Sequence, residues 1–365
     1  MNTLGRLLRL TTFGESHGPA MGGILDGLPA GIAIDMADVQ RMIDRRRTGR
    51  STLTSQRRET DIPEILSGLD ADGRSLGSPI GFIFRNTDAR PTDYSDLEQR
   101  YRPGHADYTY DLKYGRRDPR GGGRASARET VSWVMAGALT MQWLRTLGIS
   151  IEARLTAVGS AGYHDPLAGI INDPLLGSLP ADESVENAML NEVDAARREC
   201  DSVGGRVSCV IRGLPAALGD PVFGKMQARL AEAMLSLNAV KGFEYGMGAA
   251  AAEARGSDAI DLFEPDFSPM PMRTDRHGGI LGGISTGMPV CFNLWFKPTP
   301  TISRPLPMPD CKGSLKDVTA HGRHDPCVAM RAPVIVEALA ALVTGDLLRV
   351  SQHSDISNDY GKPLV

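Results

Sequence analysis

Short apolar segments of two kinds alternate along this chain of 365 residues, and frequent glycine and proline separate them. Some segments repeat their apolar residues at helical spacing, and others are brief runs typical of strands. No internal repeat or low-complexity linker marks a domain boundary, and 41% of the residues are hydrophobic, enough for a large core. The sequence therefore predicts one compact domain of mixed α and β structure, residues 1–365.

The pattern predicts helices over residues 35–48, 128–147, 221–237 and 333–348, and strands over 207–211 and 290–296. The first helix has Asp35 as its N-cap and Gly49 as its stop. Arg46 shares a face with the apolar residues Val39, Met42 and Ile43, so its guanidinium should point inward. A buried guanidinium needs an anionic partner, which is either an internal carboxylate or a ligand.

Composition excludes several classes of protein. The first twenty residues show no secretory signal, and no stretch approaches the roughly 20 apolar residues of a membrane span, which predicts a cytoplasmic protein without membrane contact. The five cysteines form no C-x-x-C pair, which argues against a disulfide framework and against a metal site. We expect them to be buried thiols. The net charge of −4 and the scarcity of aromatic residues near the basic clusters disfavour nucleic-acid binding.

Arginine dominates the basic residues: seven of the 40 are lysine and the other 33 are arginine. Two dense clusters comprise Arg45, Arg46, Arg47, Arg50, Arg57 and Arg58, and then Arg116, Arg117, Arg120, Arg124 and Arg128. Guanidinium groups bind phosphate and carboxylate oxygens in pairs, so the clusters suggest a small polyanionic ligand. Solvated surface charges, or a genome that favours arginine codons, remain the alternative reading.

Glycine-rich segments suggest places where the backbone approaches a ligand. Gly121, Gly122 and Gly123 precede the predicted helix 128–147, whose N-terminus could cradle a phosphate. No G-x-x-x-x-G-K-[ST] or complete G-x-G-x-x-G motif occurs, which disfavours the common ATP and NAD folds. The glycine-rich segment 278–283 would let the backbone come close to a ligand. The segment 297–301 offers two hydroxyls and an ammonium. Ordinary loop chemistry explains each of them equally well alone.

Two histidines and one carboxylate are the best candidates for moving protons. His17 and His105 each lie beside glycine in segments that read as loops, where catalytic groups are often placed. Asp325 lies beside Arg323 in the polar segment 322–327. An aspartate beside an arginine usually forms only a salt bridge, but in a site crowded with arginine it is one of the few available bases. His164 and His353 have no supporting motif and are expected at the surface.

With these residues assembled, the chain resembles the chorismate synthase family. The segments that carry the resemblance are 14–18, 102–107, 121–130, 238–242, 278–283, 297–301 and 322–328. They extend from the N-terminus to the last fifth of the chain, and the least similar part is 163–196. The resemblance implies an α/β (α+β) sandwich in which helices lie between two antiparallel four-stranded sheets.

The resemblance also implies a reaction and its participants. Family members convert 5-enolpyruvylshikimate 3-phosphate to chorismate by 1,4-anti elimination of phosphate and a C6 hydrogen, in the shikimate pathway of aromatic amino-acid biosynthesis. They require reduced FMN although the reaction has no net redox change. A homotetramer follows from the resemblance. Because no flavin-reductase domain is evident, we expect an external flavin reductase, with NADPH as an indirect reductant.

Site residues follow from the same resemblance. His17 would protonate the departing phosphate, His105 would protonate or hold the reduced flavin near N1, and Asp325 would act with flavin N5 on the C6 hydrogen; the two histidine roles could be exchanged. The implied FMN-binding residues are Arg124, Ala125, Ser126, Asn238, Ala239, Gly282, Lys297, Pro298, Thr299, Pro300, Thr301 and Arg323. The residues implied to hold substrate anions or a nicotinamide nucleotide are Arg45, Arg46, Arg128 and Arg331.

Some positions depart from the family pattern. Thr52 stands where many members have arginine, Asp275 where many have asparagine, and His277 where a small residue is usual. Two competing functions stay open on the sequence alone. A flavin-dependent oxidoreductase would consume NADPH in proportion to product, and an arginine-rich RNA-binding protein would lose affinity steeply with salt.

Overall fold

The architecture follows from a computed structural model that describes residues 1–47, 61–86, 100–118, 122–167, 172–173, 177–178, 181–268, 270–310, 312–319 and 325–354. The described helices are α1 (Met36–Arg46), α2 (Asp107–Tyr114), α3 (Thr130–Thr146), α4 (Glu183–Arg198), α5 (Met226–Leu235), α6 (Gly256–Ala259) and α7 (Ala332–Ser354). Two 3₁₀ turns, Gly123–Ala125 and Ala127–Glu129, lead into α3.

The strands form two larger sheets and three short ribbons. Strands β1 to β5 are Thr3–Leu4, Arg9–Gly14, Ala20–Asp26, Glu64–Ile65 and Ile80–Arg85; β6 to β9 are Ser150–Val158, Ala161–Gly162, Asn172–Asp173 and Gly177–Ser178. Strands β10 to β13 are Gly205–Arg212, Val240–Tyr245, Ile280–Leu281 and Ile284–Ser285; β14 to β16 are Val290–Phe296, Leu306–Pro309 and Leu315–Val318.

Both larger sheets are antiparallel throughout. In the described chain, the first has the order β1-β2-β3-β5-β4 and the second the order β11-β14-β10-β6-β7. Each has five strands where the resemblance implied four, so that count is corrected. The five include two-residue edge strands, which are β1 and β4 in the first sheet and β7 in the second.

Helices α1, α3, α5 and α7 lie between the two sheets, which confirms the predicted sandwich. α3 packs on β2 and β3 of the first sheet, and α7 packs on β6 and β10 of the second. The two helices pack closely against each other: a Cβ on Gly137 would lie 2.4 Å from Cβ of Ala338. Apolar residues line this interior, with Phe82, Phe84 and Phe292 among the largest fully buried side chains. Each such burial stabilises the fold by about 1.5–3 kcal/mol.

The stretch Val328–Gln352 is long and apolar enough to cross a membrane, with a mean hydropathy of 1.6. This corrects the expectation that no stretch approaches a membrane span. However, 78% of its most apolar window is buried in the fold. Its acids Glu337 and Asp346 bind Arg45 and the amides of residues 6–8. It is a core helix.

The other predicted elements agree with the structure apart from their ends. Asp35 caps α1 through the amide of Ala37, and Arg46 lies on its buried face as predicted. The predicted helix 221–237 is shorter than expected, since the chain turns at 220–224 and the helix begins at Met226. Cys209, Cys291 and Cys327 are buried, whereas Cys200 is exposed, so the expectation of buried thiols was wrong there. His164 is exposed, as predicted; the side chain of His353 and all of Cys311 and Gly49 lie outside the described residues.

Candidate active site

His17 lies on the short loop between β2 and β3. Its Nδ1 is 3.0 Å from the hydroxyl of Ser16, and both side chains are buried. The side-chain amide of Asn86, just after β5, donates to the carbonyls of Glu15 and Gly18 at 3.1 and 2.8 Å. The loop is therefore held from both ends, which fixes the position of the imidazole.

Two arginines meet at a single buried carboxylate beside this loop. Arg46, on α1, donates through Nη1 to Oδ2 of Asp61 at 2.9 Å, and through Nε to Thr130 at 3.0 Å. Arg128 donates through Nη1 to Oδ1 of Asp61 at 2.5 Å, and through Nε to Asn86 at 3.2 Å. The three charged side chains are 2–7% exposed. Two guanidinium groups sharing one carboxylate carry a net charge of +1, which suits an interior that receives anions.

Asp325 joins the same group through Arg331. The Asp325 carboxylate is 7% exposed and forms an ion pair with Nη2 of Arg331. Nη1 of Arg331 donates to the backbone carbonyl of Arg46 at 3.4 Å. A continuous series of hydrogen bonds thus links the His17 loop to Asp325 through Asn86, Arg128, Asp61, Arg46 and Arg331. Arg323, Arg50, Arg57, Arg58, Arg120 and Thr52 lie outside the described residues.

His105 belongs to a second group, formed with the segment after β14. Its Nδ1 donates to the carbonyl of Pro103 at 3.0 Å, and its Nε2 accepts from the hydroxyl of Thr301 at 2.8 Å. Burial, reinforced by the charge of Arg102, lowers the pKa of His105. The neutral ring is therefore favoured. The ammonium of Lys297 donates to the carbonyl of Gly104 at 3.1 Å and ties the two segments together.

The second group extends to the glycine turn, residues 122–125. The side-chain amide of Asn238 donates to the carbonyl of Ala125 at 2.9 Å, and the amide of Lys297 donates to the carbonyl of Ala239 at 2.9 Å. Ala239 has a φ of +70°, a conformation that L-residues rarely adopt. Such backbone strain is found at functional sites more often than elsewhere.

The glycine turn brings the two groups together. A Cβ on Gly123 would lie 2.5 Å from Oε2 of Glu15 in the His17 loop. A Cβ on Gly122 would lie 3.8 Å from Arg102, and one on Gly104 would lie 2.7 Å from Pro300. The glycine turn thus lies within contact distance of both the His17 loop and the His105 loop. Both loops therefore border one site.

Arg124 and the predicted phosphate cradle are engaged within the protein. The guanidinium of Arg124 donates to Glu129 at 2.7 Å and to the hydroxyl of Thr12 at 2.8 Å. Burial raises the pKa of Glu129, although the Arg124 charge opposes the shift. The amides of Ala125 and Ser126 donate to Gly122 and Gly123 in the 3₁₀ turn. In this state Arg124 ties the turn to β2.

Arg45 and Gly282 lie apart from these contacts. Arg45 forms a bidentate ion pair with Glu337 at 2.6 and 2.8 Å and lines a separate cavity of about 570 Å³. Gly282, with a φ of +60°, is at the tip of the β12–β13 hairpin, and a Cβ there would meet no atom within 4 Å. The open side of Gly282 leaves room for a ligand.

Carboxylates accompany the arginines of both clusters. Arg46 and Arg128 pair with Asp61, Arg117 pairs with Asp107 at 3.3 Å, and Arg47 pairs with Asp44 at 2.9 Å. An open basic surface for a nucleic-acid backbone would instead leave its cations facing solvent. Arg46, Arg117 and Arg128, which are 6–10% exposed, are therefore paired inside the protein, whereas Arg45 and Arg116 are exposed.

Sequence reasoning missed Asp61, Asn86 and Thr130, which orient the arginines. The need for a buried anion beside Arg46 was a usable signal, because a buried guanidinium requires a partner. The chain contains 44 acidic residues, however, and the local pattern does not indicate which of them folds against Arg46.

Arginines, two histidines and Asp325 that lie around one glycine turn suit an enzyme with a small-molecule substrate. The family model for chorismate synthase matches residues 8–348. The chain is 45% identical over 360 residues to the chorismate synthase of Christiangramia forsetii, across 97% of this chain and 99% of that protein. It is 46% identical over 356 residues to that of Chloroflexus aurantiacus, across 95% of each.

A solved structure agrees with the sequence comparisons. A crystal structure of chorismate synthase matches with a TM-score of 0.73 at 28% identity, covering 95% of this chain and 93% of the other. The chain belongs to the chorismate synthase family, and it is a lyase.

Proposed function

We propose that the protein catalyses the 1,4-anti elimination of phosphate and a C6 hydrogen from 5-enolpyruvylshikimate 3-phosphate, giving chorismate with reduced FMN as cofactor. The observation that carries the proposal is the buried series of contacts from the His17 loop through Arg128, Asp61 and Arg46 to Asp325. The series supports the proposal because it connects the loop of a candidate acid, His17, with a candidate base, Asp325, through arginines that can bind the substrate between them.

The arginines bind and orient the substrate. The substrate has two carboxylates and a phosphate, and planar guanidinium groups match such oxygens in pairs. Asp61 orients Arg46 and Arg128 before substrate arrives, which reduces the entropy lost on binding. Arg331 contributes a third guanidinium beside Asp325.

The residues after β14 fit a flavin nucleotide. The hydroxyl of Thr299 is buried and has no hydrogen-bond partner among the described residues. Next to it, Lys297 supplies an ammonium and Thr301 a hydroxyl, a donor set suited to phosphate or to the polar edge of a flavin. Asn238, Ala239, Ala125 and Ser126 form the adjoining backbone, and Gly282 and Arg323 complete the proposed set. When bound, reduced FMN supplies N5 as a partner in removing the C6 hydrogen and is not consumed.

His17 and Asp325 carry the proton transfers. The hydroxyl of Ser16 orients the His17 ring through Nδ1, and we assign to Nε2 the donation of a proton to the departing phosphate. The C–O bond breaks with its electron pair leaving on the phosphate. The Asp325 carboxylate helps to accept the C6 hydrogen. Arg331 fixes the orientation of this carboxylate.

His105 acts by holding the cofactor. Its lowered pKa favours the neutral ring, and both ring nitrogens are already hydrogen-bonded, to Pro103 and Thr301. Proton donation would require a charged ring at neutral pH. Of the two roles implied for His105, the geometry supports orienting the flavin through Thr301 over protonating it.

The remaining parts of the proposal concern assembly and supply. We propose a cytoplasmic homotetramer that receives reduced FMN from an external flavin reductase, with NADPH as the indirect reductant. Light scattering of the purified protein tests the tetramer. NADPH consumption by strictly purified protein with oxidised FMN, measured anaerobically, would contradict the dependence on an external reductase.

The direct experiment measures anaerobic phosphate release from 5-enolpyruvylshikimate 3-phosphate with photoreduced FMN. The intact protein is compared with His17→Ala and Asp325→Asn, and His164→Ala is the matched control because His164 is exposed. We expect equal amounts of phosphate and chorismate without net flavin oxidation. Each site substitution should slow release by about 10²-fold or more, as is typical when a general acid or base is removed, and the control should match the intact protein.

The alternative outcomes separate the competing functions. Consumption of reduced flavin in proportion to product would indicate an oxidoreductase. Absence of phosphate release from the intact protein would contradict the proposed elimination.

A further inference from the structure

A second turn, formed by Gly278 and Gly279 just before β12, depends on its surroundings for its conformation. Gly278 and Gly279 have φ values of +66° and +77°. A Cβ on Gly278 would lie 2.4 Å from the nitrogen of Gly246, and one on Gly279 would lie 2.4 Å from the carbonyl oxygen of Pro289. Two glycines in succession are conformationally permissive, so neighbouring groups have to select one conformation.

Two buried carboxylates hold this turn by its backbone. Asp261 accepts from the amides of Arg276 and His277, each at 3.0 Å, and from the hydroxyl of Thr274. Asp275 accepts from the amide of Gly279 at 2.6 Å. The Asp261 and Asp275 side chains are 3% and 4% exposed. Two neighbouring carboxylates in such a place repel each other and lose hydration, which is costly without a cation or a shared proton.

The imidazole of His277 lies against both carboxylates. Its side chain is 10% exposed, Nδ1 lies against Oδ2 of Asp261, and Nδ1 is 3.4 Å from Oδ1 of Asp275. Nδ1 meets Asp261 without the geometry of a hydrogen bond. Burial, with the Asp261 charge adding to it, raises the pKa of Asp275 to about 7. The imidazole therefore separates two carboxylates that would otherwise face each other.

We propose that His277 is a positioning residue: together with Asp261 and Asp275 it forms a clasp that fixes the hairpin 280–285, and Gly282 at its tip, in the conformation that receives the flavin. The inference rests on the proposed function, which assigns Gly282 to FMN binding. The other end of the hairpin is already anchored, since the carbonyl of Gly283 accepts from the amide of Met226 at 2.8 Å. The clasp acts at the opposite end, where the amides of Met247 and Thr286 also donate to the carbonyls of Arg276 and Gly279.

The imidazole of His277 can be tested apart from the second carboxylate. In a His277→Ala/Asp275→Asn double variant, Asp261 is the one carboxylate of the group that remains. Replacing His277 alone leaves two buried carboxylates facing each other, so the single change should be worse than the double change.

The test compares His277→Ala, Asp275→Asn and the double variant His277→Ala/Asp275→Asn, with His164→Ala as the control. The first readout is hydrogen exchange of the backbone amides 276–286 in protein without flavin, measured by mass spectrometry. The second is the Kd of photoreduced FMN, measured anaerobically from flavin fluorescence. The first readout does not depend on the proposed function.

We expect His277→Ala to speed exchange in this segment and to weaken FMN binding, each by about tenfold, equivalent to about 1.4 kcal/mol. Asp275→Asn keeps an oxygen for the Gly279 amide and should stay within about threefold of the intact protein, as should the double variant. Intact exchange in His277→Ala, or a double variant as impaired as His277→Ala, would overturn the clasp.

The outcomes also separate the clasp from the function on which it rests. If the intact protein fails to bind FMN, the proposed function fails, and the exchange measurement still decides whether the clasp exists. If His277→Ala does not fold, the same comparison uses His277→Asn, which removes the imidazole and keeps a polar side chain; exchange as slow as in the intact protein would then overturn the clasp.

Discussion

Arg46 and Arg128 bind opposite oxygens of one carboxylate, Asp61, at 2.9 and 2.5 Å. The two arginines come from different parts of the fold, α1 and the 3₁₀ turn before α3. Asp61 therefore sets the distance between two guanidinium groups that the proposed function assigns to the substrate. Preorganisation of this kind lowers the cost of binding, because the protein pays for the arrangement when it folds.

Asp61→Asn should weaken substrate binding and destabilise the protein. An asparagine places an NH₂ group where one arginine now finds an oxygen, and it leaves two buried cations facing each other. Breaking one side of a buried ion pair costs about 3–5 kcal/mol. We expect a loss of stability of that order in urea unfolding, and a KM at least about tenfold higher in phosphate release. An unchanged KM in a folded variant would contradict the positioning role.

Arg45 and Arg46 should behave differently although they are neighbours. Arg45→Met leaves the buried Glu337 without its ion pair and should lower the free energy of unfolding by about 1–3 kcal/mol, with turnover unchanged. Arg46→Met should abolish most turnover. Combining Arg45→Met with Glu337→Gln should recover part of the lost stability. Loss of turnover in Arg45→Met, measured as phosphate release under saturating substrate, would place Arg45 in the substrate site after all.

Gly137→Ala tests the close approach of α3 and α7. The new Cβ would lie 2.4 Å from Cα and Cβ of Ala338 and 2.8 Å from its carbonyl oxygen, so the helices have to move apart. Overpacking of this kind costs about 1–3 kcal/mol. Gly256→Ala is the matched control, since a Cβ there would have no atom within 4 Å. Equal urea unfolding midpoints for the two variants would contradict the helix contact.

The lowered pKa of His105 predicts a pH dependence of stability. Below the ordinary histidine value of 6.5 the unfolded chain binds a proton that the folded protein does not, because burial and Arg102 disfavour the charged ring. The free energy of unfolding should therefore decline as the pH falls from 6.5 towards the lowered pKa, and this contribution should be constant above 6.5.

The measurement for His105 is urea unfolding of the intact protein and His105→Gln at about pH 5.5 and 7.5. The glutamine does not titrate, so the variant should lose less stability on acidification. His164→Gln is the control, because His164 is exposed. Equal acid sensitivity of His105→Gln and the intact protein would exclude His105 as a source of the effect.

Helices with a clear apolar face and a capping residue were predictable from the sequence. α1 begins after Asp35 and buries Val39, Met42 and Ile43, as its spacing indicates. Residues 221–225 were wrongly included in a helix, because a turn closed by the amide of Asp220 and the carbonyl of Gly224 precedes α5. Phe223 is 92% exposed there, so its apolar side chain gave a misleading signal.

The contacts among the candidate site residues were less predictable than the helices. Hydrogen bonds connect the His17 loop, Arg128, Arg46 and Asp325, which lie far apart in the sequence. Arg45, next to Arg46 in sequence, instead faces Glu337 on α7. The helical rotation of about 100° per residue separates adjacent side chains, and what each then meets depends on the element packed beside it.

The sequence alone determined the mixed α and β class and the core helices, because apolar periodicity and capping residues are local properties of the chain. Only the tertiary structure decided which charges meet. Arg46 finds Asp61 across 15 residues, whereas Arg45 finds Glu337 across 292 and Arg331 reaches the carbonyl of Arg46 across 285. Such pairings follow from how sheets and helices pack, since a buried charge takes the partner that the fold brings within a few ångströms.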